Sequence, residues 1–254
     1  MANKPFIVGN WKMNLTLEGG KNLVRTLKNK LTNVTDVDVG VCPPFVFLKD
    51  LCEILRGSPI IVGAQNMHWE KNGAYTGEVS GLMIKEVGCT HVIIGHSERR
   101  TIFGETNTII NSKLKAVFDI GLKPIFCIGE RLKERESRKT NKVVETQLRE
   151  GLTNLSSAQI GQLTIAYEPV WAIGTGITAT PAQAGEVHSF IRNFLIKEYG
   201  NNIACKIRIQ YGGSVKPDNV RELLIQPEVD GALVGGASLD AGTFISIVLT
   251  ATKQ

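Results

Sequence analysis

The sequence predicts an α/β protein of the closed (β/α)₈ barrel class, and two observations lead to that prediction. Eight short apolar segments rich in Val and Ile alternate with longer segments whose apolar residues recur at helical spacing. The chain has 254 residues, which suits one domain of this class, and its composition has no break that would divide it. We therefore predict a single domain over residues 1–254. The alternating pattern alone leaves an open, doubly wound parallel sheet as the alternative.

The eight apolar segments are the predicted strands. Their apolar character is nearly continuous, as expected for parallel strands that helices cover. They occupy residues 6–11, 37–42, 60–65, 91–95, 124–129, 163–168, 207–211 and 231–234. In a closed barrel the carboxyl ends of all eight meet around one mouth, where enzymes of this class place their catalytic groups.

The segments between the strands predict helices. In the first, the apolar residues on one face are Leu23, Val24, Leu27 and Leu31. The sixth has the clearest limits, because Thr180 suits an N-cap, Pro181 the first helical position and Gly200 the end. The seventh helix is predicted to open at Pro217, and the eighth to follow Ser238.

Composition narrows the classes of function. The formal charge of +5, from 29 basic and 24 acidic residues, suits an anionic substrate but is too small to indicate nucleic-acid binding. No signal core or long apolar span indicates secretion or a membrane. The cysteines are widely spaced and odd in number, which predicts free thiols in a reducing compartment such as the cytoplasm. They are Cys42, Cys52, Cys89, Cys127 and Cys205.

Polar residues and glycines gather at the ends of five predicted strands. A single Glu, His, Lys or Gly pair at such an end is most often structural or exposed, but five ends at one mouth predict a site. The motifs are Gly9-Asn10-Trp11-Lys12, Gly95-His96-Ser97-Glu98, Ala166-Tyr167-Glu168-Pro169, Tyr211-Gly212-Gly213-Ser214 and Val234-Gly235-Gly236-Ala237.

The glycines after strands seven and eight predict a phosphate site. Without bulky side chains, the backbone N–H groups of Gly212, Gly213, Ser214, Gly235 and Gly236 can approach an anion closely. The alternative is that these glycines serve two barrel turns. A carboxylate and a histidine facing a phosphate ester suggest acid–base chemistry. No zinc-ligand cluster, Walker loop or nicotinamide fingerprint occurs, so we expect neither metal nor cofactor.

Over essentially its whole length the chain resembles the triosephosphate isomerase family. The motifs of the family occur in order, as Gly9 to Asn14, Gly95 to Arg100, Cys127 to Glu130, Ala166 to Gly176, Tyr211 to Val215 and Val234 to Leu239. The resemblance implies an isomerase of glycolysis and gluconeogenesis that interconverts dihydroxyacetone phosphate and D-glyceraldehyde 3-phosphate through an enediolate.

The resemblance also implies the role of each site residue. Glu168 would be the base, and His96 the neutral electrophile that polarises the carbonyl group. This family is itself a standard example of that pairing. Lys12 would supply positive charge where the oxyanion develops, with Asn10 beside it. Asn10 and Lys12 would also contact the substrate, whose phosphate is bound by Gly174, Gly213, Ser214, Gly235 and Gly236. Supporting positions are Glu98, which would pair with Lys12, Ser97 and Cys127.

The resemblance also implies a function for each of two long loops. A lid that closes over the substrate is formed by Pro169, Val170, Trp171, Ala172, Ile173, Gly174, Thr175 and Gly176. Ile177 follows it where a lysine is usual in the family. The loop over residues 66–79 resembles the one that joins two subunits into a homodimer. Its Thr76, beside Tyr75, would enter the partner's pocket near Asn10 and Glu98, and Arg99 would pair with Glu78 across the interface.

Two other functions remain open at this point. The first is an aldolase or lyase that acts on a larger sugar phosphate. An aldolase needs a Schiff-base lysine inside a strand, and none occurs in strands two to eight. The second is a silent barrel kept as a binding or scaffold protein. Such a protein would be expected to lose Glu168, His96 or Lys12, and the sequence keeps all three.

Overall fold

The eight predicted strands form one closed parallel barrel in the computed structural model, which describes residues 3–174 and 178–252. Because the first strand pairs with both the second and the last, the open sheet is excluded. The strands are β1 (Phe6–Asn10), β2 (Asp38–Cys42), β3 (Ile61–Ala64), β4 (His91–Ile94), β5 (Lys123–Ile128), β6 (Thr164–Tyr167), β7 (Arg208–Tyr211) and β8 (Gly231–Val234). The fold class predicted from the sequence is confirmed.

The side chains of each strand point alternately into the barrel and towards the helices, which explains why the strand sequences are continuously apolar. In β1, Phe6 and Val8 belong to a small cluster of buried side chains inside the barrel, whereas Ile7 belongs to the large cluster between strands and helices. Both faces of each strand are therefore buried, as a parallel sheet under helices requires. The other members of the inner cluster are Cys42, Ile93, Ile125, Cys127, Ala166 and Leu233.

Helices surround the barrel, and several crossovers contain more than one. Within the described residues they are α1 (Leu17–Leu31), α2 (Leu48–Leu55), α3 (Gly81–Glu86), α4 (Ser97–Ile102), α5 (Asn107–Ile120), α6 (Leu132–Glu136), α7 (Thr140–Gly151), α8 (Ser157–Ile160), α9 (Pro181–Tyr199), α10 (Asn201–Ala204), α11 (Val220–Leu224) and α12 (Ala241–Ala251). Short 3₁₀ helices occupy Phe45–Phe47, Val170–Ala172 and Gly236–Leu239. None of the helices in this part of the chain combines the length and apolarity needed to span a bilayer.

Local signals account for the helix limits that the sequence predicted correctly. At the start of α9 the Gln183 N–H donates to Thr180 Oγ1 at 3.2 Å, and the Thr180 N–H donates to Gln183 Oε1 at 3.0 Å. Gly200 ends that helix with a φ of 79°. One start differs from the prediction. The seventh helix begins at Val220 because Pro217 lies in a turn that the Lys216 N–H closes by donating to Asn219 Oδ1 at 2.8 Å. The eighth helix, α12, follows Ser238 as predicted, after a short 3₁₀ helix.

Candidate active site

A cavity of about 300 Å³ opens at the carboxyl ends of the strands. All ten residues that the sequence assigned to catalysis or phosphate binding line it: Asn10, Lys12, His96, Glu168, Gly174, Gly212, Gly213, Ser214, Gly235 and Gly236. Ile173 of the predicted lid lines it as well, and the structure adds Val215, Lys216, Leu233 and Ala237. Because the strands converge here, groups from five separate parts of the chain face one volume of small-molecule size.

Glu168 follows β6 and is almost completely buried, with 2% of its surface exposed. Its Oε1 accepts a hydrogen bond from His96 Nε2 at 2.9 Å, and its Oε2 accepts one from the Ser97 backbone N–H at 2.8 Å. Burial alone would raise the pKa of Glu168, but the charge and hydrogen bond of His96, the Ser97 N–H and Lys12 reverse this effect. The pKa is lowered, so Glu168 is ionised at neutral pH.

His96 caps the start of α4. Its Nδ1 accepts a hydrogen bond from the Glu98 backbone N–H at 3.3 Å, so the ring proton is carried by Nε2, which donates to Glu168. Burial opposes a charged ring, but the neighbouring carboxylates of Glu168 and then Glu98 outweigh it and raise the pKa of His96. The acceptor bond at Nδ1 belongs to the neutral ring, since a protonated ring would instead carry an Nδ1–H near Glu98 Oε2, 3.5 Å away.

Lys12 enters the cavity from the end of β1. Its Nζ lies 2.7 Å from Glu98 Oε1, and its backbone N–H donates to Asn10 Oδ1 at 3.1 Å. The backbone of Lys12 has a φ of 51°, which side chains other than Gly adopt rarely and at some cost. Gln65, at the end of β3, holds this conformation by donating from Nε2 to the Lys12 carbonyl oxygen at 2.8 Å. The same nitrogen donates to the Cys42 carbonyl oxygen at 2.8 Å.

Two glycines allow neighbouring strands to pack directly against Glu168. A Cβ atom at Gly129 would lie 1.7 Å from the Glu168 carbonyl oxygen, and one at Gly212 would lie 2.9 Å from the Glu168 Cγ. Neither position has room for a side chain. Gly212, read from the sequence as part of the phosphate site, therefore has a second role in holding the base in place.

Arg100 is a further supporting residue that sequence reasoning missed. Its guanidinium group donates to the carbonyl oxygens of Gly95 at 2.7 Å and of Cys127 at 3.1 Å, and to Asn107 Oδ1 at 2.6 Å. These bonds join the carboxyl ends of β4 and β5, from which His96 and the predicted supporting residue Cys127 extend. Burial, followed by the charge of Glu168, raises the pKa of the Cys127 thiol, which therefore stays protonated next to the base.

The first part of the predicted lid packs onto a buried carboxylate. Residues Val170–Ala172 form a 3₁₀ helix, and Trp171 Nε1 donates to Glu130 Oε1 at 2.9 Å. Tyr167 also donates to Glu130, at 3.1 Å and 3.2 Å to the two oxygens. Gly174 and Ile173 line the cavity. Thr175 and Gly176 of the predicted lid, and Ile177 after it, lie outside the described residues.

The predicted dimer loop extends from the barrel next to the same site. Residues 71–78 are exposed without interruption, including Thr76 and Glu78, and the Tyr75 ring lies 4.3 Å from the His68 ring. The loop is anchored where Lys113 Nζ donates to Asn66 Oδ1 at 2.7 Å and contacts Glu105 Oε1 at 2.5 Å. Arg99 Nε also bonds Glu105 Oε1, at 2.5 Å, within the same chain.

Comparison with known proteins agrees with this geometry. The sequence profile of the family described as Triosephosphate isomerase matches residues 5–251. A triosephosphate isomerase of Carboxydothermus hydrogenoformans is 58% identical over 96% of this chain and 98% of the relative. Those of Moorella thermoacetica and Herpetosiphon aurantiacus are 55% and 54% identical, each over 96% of this chain and 98% of the relative. The chain therefore belongs to the triosephosphate isomerase family.

Proposed function

We propose that this protein interconverts dihydroxyacetone phosphate and D-glyceraldehyde 3-phosphate, the isomerisation that serves glycolysis and gluconeogenesis. The single observation that carries the proposal is the buried pair of Glu168 and His96, 2.9 Å apart, in a cavity that Lys12 and two glycine-rich loops also line. A base, a hydrogen-bond donor, a cation and backbone N–H groups are the set that proton transfer on a small phosphate ester needs. The names of the relatives favour the same reaction.

In the proposed mechanism Glu168 removes a proton from the carbon beside the carbonyl group of dihydroxyacetone phosphate. The electron pair moves onto the carbonyl oxygen, and an enediolate forms. Glu168 then returns the proton to the neighbouring carbon, and the aldehyde results. The low pKa of Glu168 is compatible with this role, because the carboxylate is already ionised when substrate arrives.

His96 and Lys12 act on the oxygen atoms in this mechanism. The Nε2–H of His96, which here donates to Glu168, turns to the substrate oxygen when the substrate separates the two side chains. That separation also removes the main influence that raises the pKa of His96, so the ring acts in its neutral form. The Lys12 ammonium group, paired with Glu98, then lies where negative charge develops.

The phosphate group is assigned to the loops after β7 and β8, together with the lid. Gly213, Ser214, Gly235 and Gly236 line the cavity, and so does Gly174 of the lid. A Cβ at Gly235 would lie 3.7 Å from Lys12 Cε, and this proximity of the lysine side chain to Gly235 supports the assignment. Closure of the lid would exclude water from the enediolate and so limit loss of phosphate.

We further propose that two copies of the chain form a homodimer. A cleft of about 220 Å³ adjoins the active site, lined by Asn10, Lys12, Met13, Phe45, Gln65, Asn66, His96, Glu98, Arg99 and Phe103. Exposed apolar side chains border it, since Met13 is 94% exposed and Phe103 is 65% exposed. The exposed loop over residues 71–78 has the form of an insertion that fills such a cleft in a partner. Thr76 would then contact the partner near its catalytic Lys12.

We also propose that the whole chain folds as one domain and acts in the cytoplasm. The described residues share one barrel, and the large apolar cluster extends from β1 to α12. All five cysteines are free, which suits a reducing compartment. The reaction as proposed uses only side chains and backbone groups of this chain.

The test is a coupled spectrophotometric assay of purified protein with dihydroxyacetone phosphate and with D-glyceraldehyde 3-phosphate. We expect wild-type turnover in both directions. Glu168→Gln removes the base without changing the size of the side chain, and we expect kcat to fall by about 10³-fold or more. Glu168→Asp retains the carboxylate but moves it back, and we expect an intermediate loss. Turnover of Glu168→Gln at the wild-type rate would refute the proposed base, and an inactive wild type would refute the function.

A further inference from the structure

Two cysteine thiols lie side by side at the end of the barrel away from the active site. Cys52 is on α2, and Cys89 lies in the connection that leads into the amino-terminal end of β4. Their sulfur atoms are 3.9 Å apart, although the residues are separated by 37 positions in the sequence. The Cys89 side chain belongs to the large apolar core, and Cys52 packs against that core. Each cysteine is therefore held in place by a different part of the fold: Cys52 by α2, and Cys89 by the connection before β4.

The backbone brings the two residues within reach of a covalent bond. A Cβ atom at Gly88 would lie 3.3 Å from the Cys52 Cβ, which shows how closely α2 passes over this connection. Gly88 has a φ of 105°, and the Cys89 N–H donates to the Ile84 carbonyl oxygen at 3.2 Å. With both backbones held close together, rotation of the side chains can shorten the sulfur–sulfur distance towards the ~2.05 Å of a disulfide.

Exposure and acidity distinguish the two thiols from each other. Cys52 is half-buried, so a small oxidant can reach it, whereas Cys89 is only 3% exposed. The hydrogen bond from Cys89 lowers the pKa of Cys52, although burial and the charge of Glu53 oppose this effect. The same contact and burial raise the pKa of Cys89. Cys52 is therefore placed to act as the nucleophile and Cys89 to resolve the product.

The other three cysteines have no such arrangement. Cys42 and Cys127 are buried inside the barrel, and burial raises the pKa of Cys42 to about 12. Cys205 is exposed on α10's carboxyl end, where its thiol donates to Asn201 Oδ1 at 3.3 Å. Among the described residues, Cys52 and Cys89 are thus the one pair arranged to form a disulfide within a single chain.

We propose that Cys52 and Cys89 form a redox-modification site, which a low-molecular-weight peroxide converts into a reversible disulfide. The Cys52 thiolate attacks one peroxide oxygen, the O–O bond breaks, hydroxide leaves, and Cys52 becomes a sulfenic acid. The Cys89 sulfur then attacks the Cys52 sulfur, its proton goes to the departing hydroxyl group, and water leaves as the S–S bond forms. The two sulfur atoms together lose two electrons, and the peroxide gains them.

The disulfide would connect α2 to the entry of β4 and close the chain segment that includes β3 and α3. Closing a loop of this length restricts the unfolded chain, so we expect a rise in Tm on the order of 5 °C or more. The active site lies at the carboxyl ends of the strands, so we expect kcat and KM to stay within about twofold of their values before oxidation. The inference goes beyond the proposed isomerase function and does not depend on it.

The experiment is a titration of the full chain with hydrogen peroxide, followed by blocking of free thiols, trypsin digestion without reductant and mass spectrometry. Trypsin cleaves at Lys and Arg, so Cys52 lies in peptide 50–56 and Cys89 in peptide 86–99. We expect these two peptides joined, with two hydrogens lost, and separated again by dithiothreitol. Tm should rise on oxidation and return on reduction.

Matched variants keep the result interpretable. Cys52→Ser and Cys89→Ser should each abolish the joined peptides and the rise in Tm, whereas Cys205→Ser should preserve both. Because Cys205 is exposed, its oxidation reports that enough peroxide was added. If Cys205 is oxidised while peptides 50–56 and 86–99 remain separate and blocked, the proposal is overturned. If the two peptides are joined but Tm does not rise, the disulfide does not restrain the chain between α2 and β4, and that part of the proposal is overturned.

Discussion

At the scale of single residues, the position of Lys12 depends on a side chain that carries no charge. The left-handed backbone of Lys12 is unfavourable by itself, and Gln65 stabilises it by bonding the Lys12 and Cys42 carbonyl oxygens together. The role of the Lys12 charge was predictable, because Lys12 lies just after β1 at the mouth of the barrel. The role of Gln65 was not, because its two partners are 53 and 23 positions away and are backbone atoms that any residue type supplies.

We predict that Gln65→Leu lowers kcat/KM by about tenfold, because it removes one hydrogen bond on each of two carbonyl groups while conserving volume. The Lys12 ammonium group would then sample positions outside the cavity. The measurement is steady-state kinetics with either triose phosphate. Gln162→Leu is the matched control, since Gln162 Nε2 bonds the Ala158 carbonyl oxygen on the surface. Equal values of kcat/KM for the two variants would contradict the role assigned to Gln65.

The buried ion cluster of Glu105 gives a pH-dependent prediction. Burial would raise the pKa of Glu105, but the hydrogen bonds and charges of Lys113 and then Arg99 lower it below the usual 4.5. A carboxyl group whose pKa is lower in the folded than in the unfolded protein stabilises the fold. This contribution is complete at pH values above the pKa of the unfolded state, and it is lost as the pH falls through the pKa of the folded state. The contribution is therefore complete at pH 7, begins to fall near the unfolded pKa of about 4.5, and is lost as the pH passes below the lower folded pKa.

We predict that Glu105→Gln destabilises the protein by about 3–5 kcal/mol at pH 7, because it leaves the Lys113 charge buried without its partner. The corresponding fall in Tm is on the order of 10 °C and should shrink as the pH is lowered towards 4. Calorimetry at fixed protein concentration and scan rate measures it. Glu145→Gln, which removes an exposed pair with Arg149, should change Tm by no more than about 2–4 °C. A loss at Glu105 that is independent of pH would disprove the assignment.

At the scale of elements, the sequence predicted those features that arise within a few neighbouring residues. The limits of α9 follow from Thr180, Pro181 and Gly200, which act locally. The start of α11 was predicted wrongly because a turn capped by Asn219 competes with the helix after Pro217. The 3₁₀ helix after β8 carried no pattern that distinguishes it from a loop, yet it places Gly236 in the cavity.

The cap of α9 lies a few positions after the predicted lid in the sequence, so we predict two effects from Thr180→Ala. The loss of the Thr180–Gln183 bonds should cost about 1 kcal/mol, or a fall in Tm of about 2–4 °C. Thr180, where α9 begins, would be held less firmly, and we expect kcat/KM to fall by a few-fold. Ser156→Ala breaks an equivalent capping box at α8, away from the lid, and should leave kcat/KM unchanged. The idea fails if both variants keep wild-type kinetics.

At the scale of the whole molecule, closure of the barrel made the site predictable. Once the strands close in sequence order, residues from β1, β4 and β6 to β8 must meet at one mouth, although Asn10 and Ala237 are 227 positions apart. The sequence could not show that a second cleft adjoins the active site. Its lining comes from turns whose exposure depends on packing, and a single chain leaves Met13 and Phe103 in solvent.

The proposed dimer leads to a prediction that connects assembly with catalysis. Met13 follows Lys12 directly and lines the cleft, so a partner loop seated there would also support the Lys12 backbone. We predict that Met13→Glu yields a monomer, because burying its charge in the interface is unfavourable. Its kcat/KM should fall by about a hundredfold, since small displacements of a catalytic group have effects of that size.

Sedimentation velocity and kinetics over a range of protein concentrations test this prediction together. Ile225→Glu is the control, because Ile225 is 64% exposed after α11 and does not line the cleft. The control should retain the mass and activity of the wild type. If Met13→Glu sediments as a monomer with full activity, the partner contributes nothing to the site. If the wild type is already a fully active monomer at micromolar concentration, the cleft is not an interface, and the exposed loop over residues 71–78 needs another explanation.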